Sequence, residues 1–414
     1  MNTTACDPSA AYAVEVARML WPDPWRAPAV GRVSDSCDDT HRDAYVFPSR
    51  RRPRLLVPAD VPRAATMVRQ LGHSRSRLTR PLLALVERAV RSPGRALMRW
   101  PVLRTTCVES DADSIEKYLG GCFDTDVRVG VMLGTRRVNQ KPVLQVFDRD
   151  GRRLGFAKIG HNELTAALVR AEAASLSKVG GLSPRTFAVP DVLHHGRWRG
   201  LEVLVMSDLT TDGRTTVHPA ARIEAMREVA QLTGTIPTPL RQSGFWSRLS
   251  QETARLSSEP NGSRLALAAE ALAGSHGENL LTLGGWHGDW GAWNMGVGDG
   301  VLKVWDWERF DPEVPLGFDG LHHSAQSVRP GQAAETRQED AFLGAVPKTL
   351  AELGVASETH HLTLCLYLLE IAVRYLDALT HGATPALTRR TAWSISLLER
   401  QLDSPPSTLV KGRS

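Results

Sequence analysis

Lysine is nearly absent from this chain. Only seven of the 50 basic residues are Lys, so almost all of its positive charge is guanidinium. Cysteine is sparse too: the five (Cys6, Cys37, Cys107, Cys122, Cys365) are scattered, odd in number and without a CxxC pair. That argues against a disulfide framework or a zinc ribbon and suits a reducing compartment, so a cytoplasmic location is expected. No long apolar run occurs. The longest, Leu362 to Val373, spans about twelve residues and contains Glu370, whereas a membrane span needs ~20. The opening MNTTACDPSA has no basic stretch leading into an apolar one, so no signal peptide is read. There is no internal repeat, no GxSxG elbow and no His pair with zinc-protease spacing. The pairs His194-His195, His322-His323 and His360-His361 are expected in cap and surface roles.

The chain is 42% hydrophobic, enough to bury a core and to exclude wholesale disorder. Its 414 residues suggest two or three domains at ~100–200 residues each. The formal charge of +5 is unevenly spread. Residues 50–104 hold fourteen Arg against Asp60 and Glu87, a local surplus of twelve, which leaves the rest of the chain at −7. Three readings of this segment stay open: docking on the acidic remainder, contact with an anionic membrane or polymer, and nucleic acid. Nucleic acid is the least favoured, because no base-stacking aromatics are interleaved with the arginines.

Residues 1–43 are mixed and weakly patterned, with Trp21-Pro-Asp-Pro-Trp and Ser34-Asp-Ser-Cys-Asp-Asp reading as loop. Tyr45-Val-Phe and Leu55-Leu-Val are short strand candidates, followed by helices near 61–71, 79–91 and 92–99. A short helix is expected over 111–119. Strands are expected at 126–133, 142–148, 153–159, 187–193 and 201–206, with one helix at 162–179 among them. Beyond 217 the pattern is helical (219–234, 243–257, 262–274, 335–353, 360–380, 388–402), interrupted by a Gly- and Trp-rich segment at 284–320. A mostly antiparallel sheet followed by a helical body is α+β rather than alternating α/β. The implied divisions are 1–110, 111–208 and 209–414.

The segment most informative about chemistry is Gly285-Trp-His-Gly-Asp-Trp-Gly-Ala-Trp-Asn, followed by Val301-Leu-Lys-Val-Trp-Asp-Trp-Glu. Phosphoryl transfer to a hydroxyl needs a carboxylate that accepts the proton and hard oxygen ligands that hold Mg2+ on the phosphates. Asp289 sits in a Gly-flanked loop, Asn294 follows on the same loop, and an apolar strand then delivers Asp306. A lone Asp in such a loop is usually a turn residue. The compound pattern HGDxxxxN with DWE beyond it is far rarer.

That pattern resembles the catalytic core of the aminoglycoside phosphotransferase/choline kinase superfamily, over roughly residues 120–400. The resemblance implies a bilobal, protein-kinase-like fold of the α+β class, with a small antiparallel sheet lobe, a helical C-terminal lobe and an extra Arg-rich N-terminal region. It implies ATP or GTP as co-substrate and transfer to a hydroxyl of a small molecule or sugar. Asp289 would be the base, Asn294 and Asp306 the Mg2+ ligands, and His287 a brace of the loop. Asp319 would hold that loop through its backbone. The family often has Pro inside this loop, where this chain has Trp290, Gly291, Ala292 and Trp293.

Other expected parts can be sought separately. Lys158, in Leu154-Gly-Phe-Ala-Lys, matches the phosphate-binding lysine, and Glu172, fourteen residues on, matches its helix partner. Phe156 shares the strand face of Lys158 and is either a ring that stacks on the nucleobase or a core aromatic. Backbone near Met206 and Asp208 resembles the purine-binding hinge. Gly134, Thr135 and Arg136 are candidates for the phosphate loop, although no GxGxxG is present. Five of eleven Trp fall between Trp286 and Trp307, with core packing expected for most and an acceptor wall for one or two. The rival reading is a nucleotide-binding pseudokinase that scaffolds partners through the basic N-terminal region.

Overall fold

The structure is a computed structural model and describes residues 8–31, 40–72, 79–92, 100–109, 111–134, 139–211 and 217–403. The chain divides into two compact units. The first comprises Met1–Ala174 and Pro190–Leu209, the second Ser175–Val189 and Thr210–Ser414. The expected helix at 92–99 and the phosphate-loop candidates Thr135 and Arg136 lie outside the described residues.

The first unit is built on one sheet. In chain order it has α1 (Pro8–Leu20), β1 (Ala29–Gly31), β2 (His41–Phe47), β3 (Leu55–Pro58), a 3-10 helix (Pro62–Gly72), α2 (Thr79–Arg91) and β4 (Val102–Thr106). There follow α3 (Ile115–Phe123), β5 (Val127–Met132), β6 (Val143–Asp148), β7 (Arg153–Gly160) and α4 (Glu163–Gly181). After β8 (Phe187–Ala188), which belongs to the second unit, come β9 (Val192–Trp198) and β10 (Leu201–Ser207). The nine strands run in the order β1-β4-β2-β3-β5-β6-β7-β10-β9, and every neighbouring pair is antiparallel.

Alternation along the strands splits the core between the two sheet faces. Val46, Leu56, Leu103, Val127, Val129 and Val131 turn to the face covered by α1 and α3. Tyr45, Phe47, Leu55, Val57, Val102 and Phe147 turn to the face covered by the 3-10 helix and α2.

Several expectations need correction here. Trp21 to Trp25 is irregular as expected and the loop expected over Ser34 to Asp39 lies outside the described residues, but Pro8–Leu20, for which no element was expected, is a helix. Ala13, Val16, Ala17 and Leu20 fall on one helical face and are buried against the sheet. Residues 29–106 supply four of the nine strands, with β3 paired to β5 through Leu55↔Met132 and Leu56↔Val131. The sheet therefore runs straight across the boundary expected at residue 110. The strand expected at 187–193 is two strands, divided around Pro190, which has no N–H for a ladder. The helix expected from residue 111 starts at Ile115, where the Ser114 hydroxyl accepts from the Lys117 N–H at 3.2 Å.

The second unit is mainly helical, as its apolar periodicity implies. It contains α5 (Pro219–Gln231), β11 (Ile236–Pro239), α6 (Gly244–Arg255), α7 (Gly262–His276), β12 (Leu280–Trp286), β13 (Met295–Gly298), β14 (Val301–Val304) and β15 (Asp311–Pro315). Then come α8 (Phe318–Ala325), α9 (Glu335–Glu352), α10 (His360–His381) and α11 (Pro385–Leu402). Helix α10 is the spine: its residues Leu362 to Val373 are buried nearly all round, which explains why the longest apolar stretch of the sequence falls there. The Gly- and Trp-rich segment contributes β13, β14, β15 and the end of β12 to two three-stranded sheets, β11-β12-β15 and β13-β14-β8.

Candidate active site

The expected site residues fall into two groups, one in each unit. In the first unit, β7 presents Lys158 on the face opposite Ala157 and Ile159. Its ammonium donates to both carboxylate oxygens of Glu172, at 2.5 and 2.6 Å, and both residues are buried. Glu172 lies on α4 between buried Leu168 and Leu176, the inward face that the spacing implies. A fixed, desolvated ammonium of this kind can act as a point charge toward an anion that replaces part of its solvation.

Two residues toward the start of β7, Phe156 is half-buried. Its ring carries the Arg153 guanidinium 5.3 Å from its centroid, so a cation already lies over the ring. Arg153 also reaches Asp208 at 2.8 Å. Met206 is buried, faces Phe156 across the ladder and sits at a register shift between Val205 and Met206. Gly134 is exposed just after β5 with φ +66°, a left-handed position that glycine adopts without strain.

In the second unit, β12 carries the chain into the HGD loop. Gly284 and Gly285 let that strand lie against the end of α5. A Cβ would stand 2.2 Å from the Ala230 carbonyl oxygen at the first and 2.6 Å from that of Val229 at the second. The loop is then tied at each residue. The N–H groups of His287 and Gly288 donate to the two oxygens of Asp319 on α8, at 2.8 and 3.2 Å. The His287 ring accepts the Asp289 N–H at Nδ1 (3.2 Å), so Nε2 carries the proton and donates to the Trp305 carbonyl (3.0 Å). The ring is fully buried and its pKa is lowered, chiefly by desolvation, so it is a neutral brace. The Gly288 carbonyl accepts from Arg374 at 2.6 Å, and Arg374 in turn binds Glu370 and lies over the Trp286 ring.

The Asp289 carboxylate is gripped from two sides. The Asn294 side-chain amide donates to Oδ2 at 3.0 Å and to the Asp289 carbonyl at 2.9 Å. His322 Nε2 stands 3.2 Å from Oδ1, while its Nδ1 meets the Tyr367 hydroxyl at 3.2 Å. Burial alone would raise the Asp289 carboxyl, but the hydrogen bond from His322 counters it and the carboxyl lies below the usual carboxylate range. Burial lowers His322 despite the pull of Asp289, so the ring is neutral at physiological pH.

Strands β13 and β14 form a hairpin closed by Asp299-Gly300, both at positive φ as a two-residue turn requires. Its open end brings Asn294 beside Asp306. Met295 pairs with Val304, the Trp305 N–H donates to the Asn294 carbonyl at 3.1 Å, and Asp306 follows at φ +72°. The Asn294 side-chain nitrogen donates to Asp289, and the Asn294 side-chain oxygen and the Asp306 carboxylate are both hard oxygen donors. Such a pair suits Mg2+. Arg309, just beyond, is lowered to about 10 by burial and by Arg374, with Asp289 and Asp306 opposing, and remains a cation at neutral pH.

His322, Tyr367 and Arg374 were not singled out from the sequence, and the expectation of a cap or surface role for His322 is overturned by its burial. The missed signal was helical spacing: His322 lies three residues after Asp319, hence on the helix face that already meets the loop. Of the local tryptophans, Trp286, Trp290 and Trp307 are core, whereas Trp293 is half exposed and its carbonyl accepts from the Trp305 indole N–H.

Among known proteins, no family model matches the chain, and no curated protein does. Solved structures do. A thermostable mutant of aminoglycoside phosphotransferase APH(4)-Ia, in ternary complex with ADP and hygromycin B, matches at 16% identity and TM-score 0.47, over 72% of this chain and 99% of that one. Choline kinase LicA from Streptococcus pneumoniae matches at 13% identity and TM-score 0.46, over 70% and 98%. The chain is similar to these small-molecule kinases. At such low identity and score the likeness carries no argument of its own, and the functional reading rests on the side chains described above.

Proposed function

We propose that this chain is a phosphotransferase that moves the γ-phosphoryl group of ATP or GTP to a hydroxyl of a small molecule or sugar. The observation that carries the reading is the Asp289 carboxylate, kept ionised and aimed by Asn294 and His322 on a loop tied down by Asp319. Asp289 accepts the proton of the acceptor hydroxyl. The acceptor oxygen bonds to the γ-phosphorus, the bond from that phosphorus to the β-phosphate oxygen breaks, and the nucleoside diphosphate leaves. Lys158, held by Glu172, offsets phosphate charge. Asn294 and Asp306 supply oxygens of the kind that hold Mg2+, and a bound ion would neutralise phosphate charge there. The hinge toward the purine is assigned to Met206 and Asp208, and the phosphate loop to the stretch that begins with Gly134 and Thr135. The Arg153 guanidinium over Phe156 supports the structural reading of that ring over nucleobase stacking.

The test follows labelled γ-phosphate from ATP into a panel of alcohols, amino alcohols and sugars by mass spectrometry. Asp289→Asn should lower turnover by about 100- to 10,000-fold with nucleotide affinity nearly unchanged. Near-normal turnover in that variant would remove Asp289 as base.

A further inference from the structure

The Arg-rich segment takes no part in the chemistry above, and its outer surface has a composition of its own. The 3-10 helix (Pro62–Gly72) and α2 (Thr79–Arg91) form a layer on one face of the first unit's sheet. Inward, Ala64, Ala65, Met67, Val68 and Val90 join the core. Outward, the 3-10 helix exposes Arg63, Thr66 and Arg69. At three residues per turn these positions stack in one row. The outer face of α2 exposes Leu82 (61%) and Leu85 (65%), with Arg88 one turn further along and Arg91 beside it.

The one acid between residues 62 and 92 is Glu87, against seven Arg in the same stretch. Glu87 is buried and taken by Arg69 and Arg91 from its own layer, so it offers no negative charge outward. The result is a pair of leucines framed by arginines, on a helix whose opposite face is anchored in the core.

We propose that this surface docks on an anionic lipid bilayer. Leucines at 82 and 85 are of the size and spacing to enter the boundary between headgroups and acyl chains, while Arg63, Arg69, Arg88 and Arg91 meet lipid phosphates at the same depth. The other occupants fit less well. A second copy of the chain would set arginine against arginine. Nucleic acid would leave both leucines unused and would find no stacking ring, because residues 62–92 contain no Phe, Tyr or Trp. The proposal is independent of the phosphotransferase reading and holds whether or not an acceptor is found.

The experiment is flotation of the full-length chain with vesicles of mixed phosphatidylglycerol and phosphatidylcholine, or of phosphatidylcholine alone, at physiological salt. Binding should be roughly tenfold or more stronger to the anionic vesicles and should weaken as salt rises. The double variant L82S/L85S should lose roughly tenfold in binding, with its thermal melt unchanged because both side chains are already in solvent. The pair R63Q/R88Q should lose binding to anionic vesicles and with it the salt dependence. Failure of the wild-type chain to float, equal binding to both vesicles, or an unaffected leucine variant overturns the proposal. Competition by an RNA homopolymer with leucine-independent binding would assign the surface to nucleic acid instead. A dimer in buffer that L82S/L85S dissolves would assign it to a second copy.

Discussion

Asp289 draws its two side-chain hydrogen bonds from different sources, and they differ in what they protect. Asn294 belongs to the same loop, so its removal takes a hydrogen bond from the Asp289 carbonyl as well as from the carboxylate. His322 meets the carboxylate from α8, and its ring is held by Tyr367 on α10 and by the Gln326 side chain. It acts through Asp289 and is a positioning residue. His322→Ala should lower turnover by about 10- to 100-fold, the worth of one or two lost hydrogen bonds to a charged group, while nucleotide affinity stays the same. His322→Gln, which keeps a donor, should recover most of that loss. A drop in nucleotide affinity of equal size would show that the imidazole serves the fold and not the base. The approach of Asn294 to Asp289 was legible in the sequence, as a short spacing on one Gly-flanked loop. His322 was not, since its partners are distant in the chain and only packing reveals them.

At the scale of elements, the site in the second unit is a loop hung between β12 and the β13–β14 hairpin and pinned by α8. The pin is Asp319, which burial raises to about 7 against the two N–H donors that favour its ionised form. An unfolded aspartate titrates near ~3.9, so between the two values the folded chain holds a proton that the unfolded chain has released. The contribution is therefore fully present below the unfolded value and is lost as pH rises through about 7, with a slope of at most about 1.4 kcal/mol per pH unit. Urea midpoints compared at mildly acidic and mildly alkaline pH should fall with rising pH in the wild-type chain, and Asp319→Asn should flatten that slope. Strand and helix positions in this region were partly legible. Val301 to Trp305 reads as a strand from its apolar residues. The two-residue Asp299-Gly300 turn, which sets Asn294 opposite Trp305, is visible once it is set between the short strands on either side. Strand β4 and helix α1 escaped notice because neither has a turn or cap signal strong enough to stand out without the sheet that they cover or complete.

Across the whole molecule, the largest difference from the sequence reading is the place of residues 1–110. Charge and the extent of the resemblance both suggested an appendage. Hydrogen bonding makes these residues part of the sheet, because β3 completes the edge of β5 and α1 covers the core face made by Val127, Val129 and Val131. A chain beginning at residue 111 would expose that edge and that apolar face together. Such a truncation should be recovered in aggregates or as a species that binds a hydrophobic dye, whereas the full chain stays in solution. A soluble, nucleotide-binding truncation would contradict this. The α+β class and the helical body were legible from periodicity and apolar runs, since each helix there buries a stripe or, in α10, nearly its whole circumference. Membership of the sheet was not, because which strand pairs with which depends on partners far apart in the sequence.

The strand order also bears on how the protein is made. β2 and β3 pair with each other and emerge early, but the free edge of β3 waits for β5, and β4 must return past that hairpin to the other edge of β2. During synthesis the amino-terminal strands therefore leave the ribosome with an open edge, and it stays open until residue 132 has appeared. The interval in which the nascent chain is most prone to wrong pairing lies between residues 59 and 126, and it is there that translation speed and chaperone contact have the most influence on yield.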